Sequence, residues 1–243
     1  MSGSLDVLSP VPLVLDRLAL RIDRDEVLRF LGYKKSLGLP TPDVLRLFDE
    51  GLDEGTRLMA PRVVYRAVAA TAFAERIEAD GEELHIPKIG RLWGRLAAVG
   101  AGICTVGVAI EERVRVLFQE REFPLAVMLD AVGSAAVESL AEHANDLFCQ
   151  EALRQGLKVT NRISPGYAGW DTAEQAKLFR LCPGAPIDVA LNPACFMTPV
   201  KSISFLVGLG PEVRVDHYFT QCRRCWMRDC AFRRAPAVGS VSE

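Results

Sequence analysis

"NRISPGYAGW", residues 161–170, sets an arginine, a proline, glycine and two aromatic rings into ten positions between two helical patterns. Pro165 fixes one backbone angle and Gly166 permits a conformation that other residues resist, so the segment turns instead of continuing either helix. Tyr167 and Trp170 offer ring faces, and Arg162 offers a cation that can hold an anionic group. Two readings stand side by side: a structural turn with an exposed arginine, or a turn that brings backbone close to a ligand. A ligand suited to the second has a carboxylate, a cation and an apolar ring, and S-adenosylmethionine carries all three in its carboxylate, sulfonium and adenine.

The longer helical pattern follows Pro124 and runs to about Gly156, with a break expected near Gly133. Val137, Leu140, Ala141, Ala144, Leu147 and Phe148 repeat on it at helical spacing as a core stripe, with Glu138, Glu142 and Asn145 along the flank. Downstream, residues 172–181 read as a helix, followed by short strands at 187–191 and 203–209. Toward the N-terminus, residues 13–22 are strand-like; Asp23 caps a short helix, Glu26 completes a capping box and Gly32 ends it. Pro42 opens a helix over 42–57. Val63, Val64, Tyr65 and Val68 suggest a strand, "ADGEE" at 79–83 a turn, and residues 103–110 a second buried strand. Strands and helices come in irregular order, without the alternation of a doubly wound sheet, and this predicts an α+β fold.

The composition agrees with an ordinary soluble globular chain: 243 residues, 49% hydrophobic and 25% charged. A net charge of −2 lacks the basic excess of a nucleic-acid surface. The longest nearly apolar run, 96–110, is interrupted by glycines and too short to span a bilayer, which argues against a membrane protein. Residues 1–12 lack the basic start and apolar core of a signal peptide, and the seven cysteines are an odd number. A cytoplasmic location with reduced thiols or metal ligands is therefore expected.

Other motifs fall short. "GAGICTVG" at 100–107 has the first two glycines of a dinucleotide fingerprint, but Thr105 occupies the third glycine position. "GYKKS" at 32–36 lacks the glycine spacing of a phosphate loop. His85, His143 and His217 are too scattered for a helical zinc-protease motif, and His143 is expected to face solvent.

"RISPGYAGW" from Arg162, "AEQAKLF" at 173–179 and "LNPACFMTPVKSISFLVGLG" at 191–210 together resemble the activation domain of cobalamin-dependent methionine synthase, above all its stand-alone relatives. In those relatives an R-x-S-P-G-Y turn precedes a P-x-K-S-x-S segment, and "DAVGSAAVESLAEHAND" at 130–146 resembles the family's helix with an acidic residue after small residues. The resemblance implies a single α+β domain, here 1–220, with a twisted, mainly antiparallel sheet flanked by helices. It implies a shallow S-adenosylmethionine groove in which Arg162, Ser164, Pro165, Gly166 and Tyr167 form the ligand turn and Glu138 meets the ligand's amino group. It also implies partners: a corrinoid-binding protein or methionine synthase modules that hold cobalamin, and an electron donor. No catalytic residue of this chain is expected, because a methyl cation equivalent passes from sulfur to a nucleophilic metal.

Residues 221–243 form a basic arm that the methionine synthase domain lacks, with Cys222, Cys225 and Cys230 in the sequence "CRRCWMRDC". The spacing suits a zinc ion or an Fe–S cluster completed by His217, Cys195 or Cys182, and equally three free thiols. Three functions follow: an S-adenosylmethionine-binding activator of a corrinoid protein in trans, a redox adaptor working through the cysteine arm, and a module that senses S-adenosylmethionine and docks on a partner.

Overall fold

The computed structural model describes residues 6–16, 18–33, 40–167 and 169–215. The chain begins with strand β1 (Leu13–Asp16) and helices α1 (Arg24–Phe30) and α2 (Pro42–Leu58). There follow β2 (Arg62–Ala72), β3 (Arg76–Ala79), β4 (Glu82–His85), α3 (Ile89–Trp93), β5 (Ala98–Thr105), α4 (Ala109–Gln119) and the long α5 (Phe123–Arg154). The last part contains β6 (Lys158–Val159), α6 (Gln175–Leu181), β7 (Ala190–Leu191), β8 (Met197–Thr198) and β9 (Ser202–Gly210). Among the described residues, the main sheet has seven strands in the order β4-β3-β2-β5-β9-β6, with β1 on the free edge of β2, and every pairing is antiparallel. The fold is α+β, as the irregular order of elements predicts.

Alternation along the strands sends side chains to two cores. On one face Val63, Tyr65, Cys104, Phe205 and Val207 pack against Ala136, Leu140, Ala144 and Phe148 of α5. On the other, Val64, Val68, Val99, Ile103 and Leu206 pack against Trp93, Leu178, Leu181, Ile187 and Trp170. The aromatic centre of the first core is Tyr65 stacked on Phe148 at 4.0 Å, with the Tyr65 hydroxyl donating to the Val7 carbonyl at 3.0 Å. Gly100 and Gly102 lie beneath these rings: a Cβ on Gly102 would stand 2.7 Å from Phe205 Cε1, and one on Gly100 would stand 2.6 Å from Tyr65 Cζ. The glycines that mimic a dinucleotide fingerprint are thus the small positions of a fully buried central strand.

The outer side of α5 carries α1, α2 and α4. Gly51 and Gly55, one turn apart on α2, allow a close crossing, since added Cβ atoms would meet Met128 Cγ at 2.8 Å and Val132 Cγ1 at 2.9 Å. Several expectations change at this level. α5 runs unbroken through Gly133, whose missing side chain makes room for Ile110 and the stem of Lys201. The strand expected at 103–110 lies at 98–105, and α4 begins at Ala109. Strand β1 stops at Asp16 instead of reaching residue 22, and 172–181 opens with a 3-10 turn at Thr172–Glu174. At 187–191 a 3-10 turn precedes the two-residue strand β7. Thr41 and Asp23 cap α2 and α1, and Gly32 follows α1 at φ 83°. Asp80 and Gly81, both at positive φ, make the β3–β4 hairpin out of the "ADGEE" turn. α5 is long and apolar enough to cross a membrane, but most of its apolar side chains are buried between the sheet and the outer helices.

Candidate functional site

The segment after α5 is held to the free edge of β9. The Thr160 amide donates to the Gly208 carbonyl at 2.9 Å, and Ile163 and Leu206 exchange amide bonds at 3.0 and 2.8 Å. Strand-like alternation then sends Ile163 into the core that holds Trp170, while Arg162 points to the opposite face, where α5 lies. Its guanidinium Nη2 donates to Glu138 Oε2 at 2.8 Å and stands 3.9 Å from Glu142 Oε1. The Arg162 and Glu138 side chains are only 14% and 20% exposed, so this contact is shielded from solvent screening. Glu138 and Glu142 sit at i and i+4, which aligns both carboxylates on one helix face toward one guanidinium.

Beneath the pair lies the Cys104 thiol. Burial pushes it up to about 12, with the Arg162 guanidinium opposing that rise and Glu138 adding to it.

After Arg162 the chain closes into a tight loop. The Gly166 amide donates to the Trp170 carbonyl at 2.8 Å, and the Trp170 amide donates back to Tyr167 at 2.9 Å. Gly166 adopts φ 88° and is exposed, and an added Cβ would meet Thr172 Oγ1 at 3.3 Å, so the backbone angle demands glycine here more than space does. Ser164 and Pro165 are buried, and Tyr167 is 44% exposed. The Ser164 hydroxyl has no hydrogen-bond partner among the described residues. Trp170, expected to present a ring face, is 2% exposed and belongs to the core, because the Gly166–Trp170 closure folds its indole back onto the sheet.

Of the residues expected at the site, the structure brings Arg162 and Glu138 into direct contact and places Ser164, Pro165, Gly166 and Tyr167 on the adjoining turn. Glu142 was read as a flank residue only; its i+4 spacing from Glu138 is the signal that adds it. A second brace lies two turns back on the same helix. Lys201 Nζ contacts Asp130 Oδ1 at 2.7 Å and Ser134 Oγ at 2.8 Å, and the Lys201 amide donates to Glu111 Oε1 at 2.7 Å. It fixes the approach to β9, the strand to which residues 160 and 163 are bonded.

Cys222, Cys225, Cys230 and His217 lie outside the described residues. Within the described residues, no group of three or more His, Cys, Asp or Glu is placed to hold a metal. Of the proposed fourth ligands, Cys182 is sealed in the core, and burial pushes its thiol up to about 12, while Cys195 is half-buried in the β7–β8 loop. His143 is exposed, as expected.

No family model matches the chain, and no curated protein matches it. Among solved structures it is similar to the MetH reactivation domain bound to AdoHcy, with a TM-score of 0.60 and 16% sequence identity over 88% of this chain and 83% of that one. The chain has the fold of the MetH reactivation domain.

Proposed function

We propose that the protein binds S-adenosylmethionine at the Arg162–Glu138 pair and the adjoining turn, and supports reductive remethylation of a corrinoid protein in trans. The observation that carries this reading is a half-buried cation and anion, 2.8 Å apart, at the head of a tight turn in a fold shared with a domain that binds AdoHcy. The amino-acid end of the ligand has one carboxylate for Arg162 and one ammonium for Glu138. The exposed turn at Gly166 lets a ligand approach the backbone beside them. Tyr167, 44% exposed, can cover an adenine or sulfonium.

This chain's share of the chemistry is positioning. Fixing both charges at one end of the ligand aims the sulfonium methyl outward, toward a cobalt carried by another protein, and no general base is needed. The electron that first reduces the cobalt comes from a separate donor, and S-adenosylhomocysteine leaves after transfer. The partners are accordingly a corrinoid-binding protein or methionine synthase modules and an electron donor, in the cytoplasm.

Calorimetric titration with S-adenosylmethionine tests the reading. Arg162→Ala removes a charge-assisted hydrogen bond of roughly 1.5–3 kcal/mol, about ten- to a hundredfold in affinity. Equal affinity in a folded Arg162→Ala protein refutes it.

A further inference from the structure

On the side of the sheet where α5 lies, the cover ends before the sheet does. Val63, Tyr65 and Ala67 of β2 are buried in that core, and strand alternation carries Ala69 and Thr71 onto the same face, yet both are exposed. Thr71 pairs with Glu78 of β3, and Glu78 pairs with Glu83 of β4, so the three side chains form one exposed rung. Together with Asp80, Glu82 and the exposed Ala97 they line a groove of about 740 Å³.

Glu78 and Glu83 are like charges directly opposite each other, an arrangement that costs stability unless cations are near. Arg76 Nε stands 3.1 Å from each, His85 Nε2 stands 2.9 Å from Glu83, Arg66 meets Asp80 at 2.7 Å, and Arg180 meets Glu82. Four carboxylates thus share three guanidiniums and an imidazole, and none of these basic side chains lines the groove. The groove presents carboxylates and alanines, so a segment that fits it carries cations interleaved with apolar side chains.

Residues 216–243, which lie outside the described residues, have that composition. From Cys222 to Arg234 the sequence sets Arg223, Arg224, Arg228, Arg233 and Arg234 against the single carboxylate of Asp229, with Trp226, Met227 and Phe232 among them. The described chain also ends close by. The Ala97 amide donates to the Leu209 carbonyl at 2.8 Å, Val213 bridges Gly94, and the last described residue is Val215. Arg223 follows Val215 by eight residues, which extended reach up to about 28 Å, against the roughly 10 Å that three residues span from Gly94 to Ala97.

We propose that this arm docks on its own chain, laying its arginines against Glu78, Asp80 and Glu83 and its apolar side chains over the exposed alanines. The groove is built on β2, β3 and β4, across the sheet from β9, to which residues 160 and 163 are bonded. Cys222, Cys225 and Cys230 sit among the arginines, so docking holds the triplet away from the Arg162 turn. The proposal does not depend on the ligand assigned to that turn.

Acrylamide quenching of tryptophan fluorescence tests it on the full chain. Of the three tryptophans, Trp93 and Trp170 are 4% and 2% exposed, so a change in quenching reports Trp226. In dilute buffer Trp226 should be shielded, and it should open to quencher at about 1 M salt, where charges are screened beyond about 3 Å. Glu78→Gln with Glu83→Gln should release it at lower salt, weakening docking by roughly tenfold, since each exposed pair lost is worth up to about fivefold. Arg223→Gln with Arg224→Gln should do the same and leaves the groove's own pairs in place, so it decides the matter if the first variant does not fold. A Trp226 already fully quenched in dilute buffer means that the arm is free on this chain, and the proposal fails. Shielding that survives salt and both variants puts the arm elsewhere, and shielding that vanishes on dilution means that a second copy holds it; either result overturns docking within one chain.

Discussion

Replacing Gly102 with alanine separates a strand that needs small residues from a loop that cradles phosphate. The new Cβ would lie 2.7 and 2.8 Å from Phe205 Cε1 and Cε2, where ordinary carbon contacts sit near ~3.5–4.0 Å. The ring must retreat by about 1 Å, yet Phe205 is fully buried and its own neighbour Phe148 lies 6.4 Å away, centroid to centroid. Overpacking of this kind costs about 1–3 kcal/mol, offset by a few tenths to about 1 kcal/mol because alanine loses less backbone entropy than glycine. A net loss of about 1–2 kcal/mol lowers the melting temperature by roughly 2–8 °C at this chain length. Scanning calorimetry reads that shift, and Phe205→Leu in the same chain should recover part of it, giving non-additive energies in a double-mutant cycle. A Gly102→Ala protein as stable as wild type, or one that loses ligand affinity with its melting temperature unchanged, refutes the packing argument.

Other outcomes follow from the same geometry. Trp170→Phe should lower stability and leave S-adenosylmethionine affinity unchanged, because the indole is 2% exposed and its Nε1 has no partner among the described residues; loss of affinity would restore it to the site. Burial pushes the Cys104 and Cys182 thiols from about 9 up to about 12, so their contribution to stability is complete below pH 9 and is lost as pH rises toward 12. Urea midpoints should fall across that window, with a shallower slope in Cys104→Ala. If the Cys222, Cys225 and Cys230 triplet holds a metal, elemental analysis of anaerobically purified protein should find about one zinc or one Fe–S cluster per chain, and Cys225→Ser should remove it while S-adenosylmethionine binding persists.

The sequence was most legible where a local signal and the tertiary demand coincide. Pro42 after Thr41 and Gly32 after α1 do locally what the fold requires of them. The helical stripe of Val137, Leu140, Ala141, Ala144 and Phe148 is read correctly because the second half of α5 meets the sheet, whereas Leu147, counted in the same stripe, is only half-buried and lies outside that core. Legibility failed where the tertiary partner supplies the reason. Gly100 and Gly102 look like breakers or a phosphate loop until Tyr65 and Phe205 are seen above them. Gly133 looks like a helix break until Ile110 and Lys201 are seen against it. Helix α4 was hidden because its apolar residues Ile110, Val114 and Leu117 follow directly on an apolar strand, and only the glycine at 107, with φ 87°, marks the join. At the site, Arg162 and Gly166 could be named from the turn chemistry, and Glu138 from the family resemblance. That Arg162 and Glu138 bond to each other, with Glu142 beside them, depends on the β9 edge bringing residue 162 over α5, and no spacing in the sequence encodes that approach.

Helix α5, 32 residues and about 48 Å of continuous α-helix, joins the sheet to the outer helices. Its first half is clasped by the outer helices and Lys201, its middle carries the two carboxylates beside Arg162, and its last turns hold Phe148 under Tyr65. Glu138 therefore cannot be displaced by local fraying; moving it means breaking amides that should exchange with solvent only on global opening. The turn at 162–170, by contrast, hangs from a few bonds on a sheet edge. One side of the site thus behaves as an anvil and the other as a latch. Slow-exchange protection should be greatest along 128–148 and should grow around 162–170 when ligand is bound.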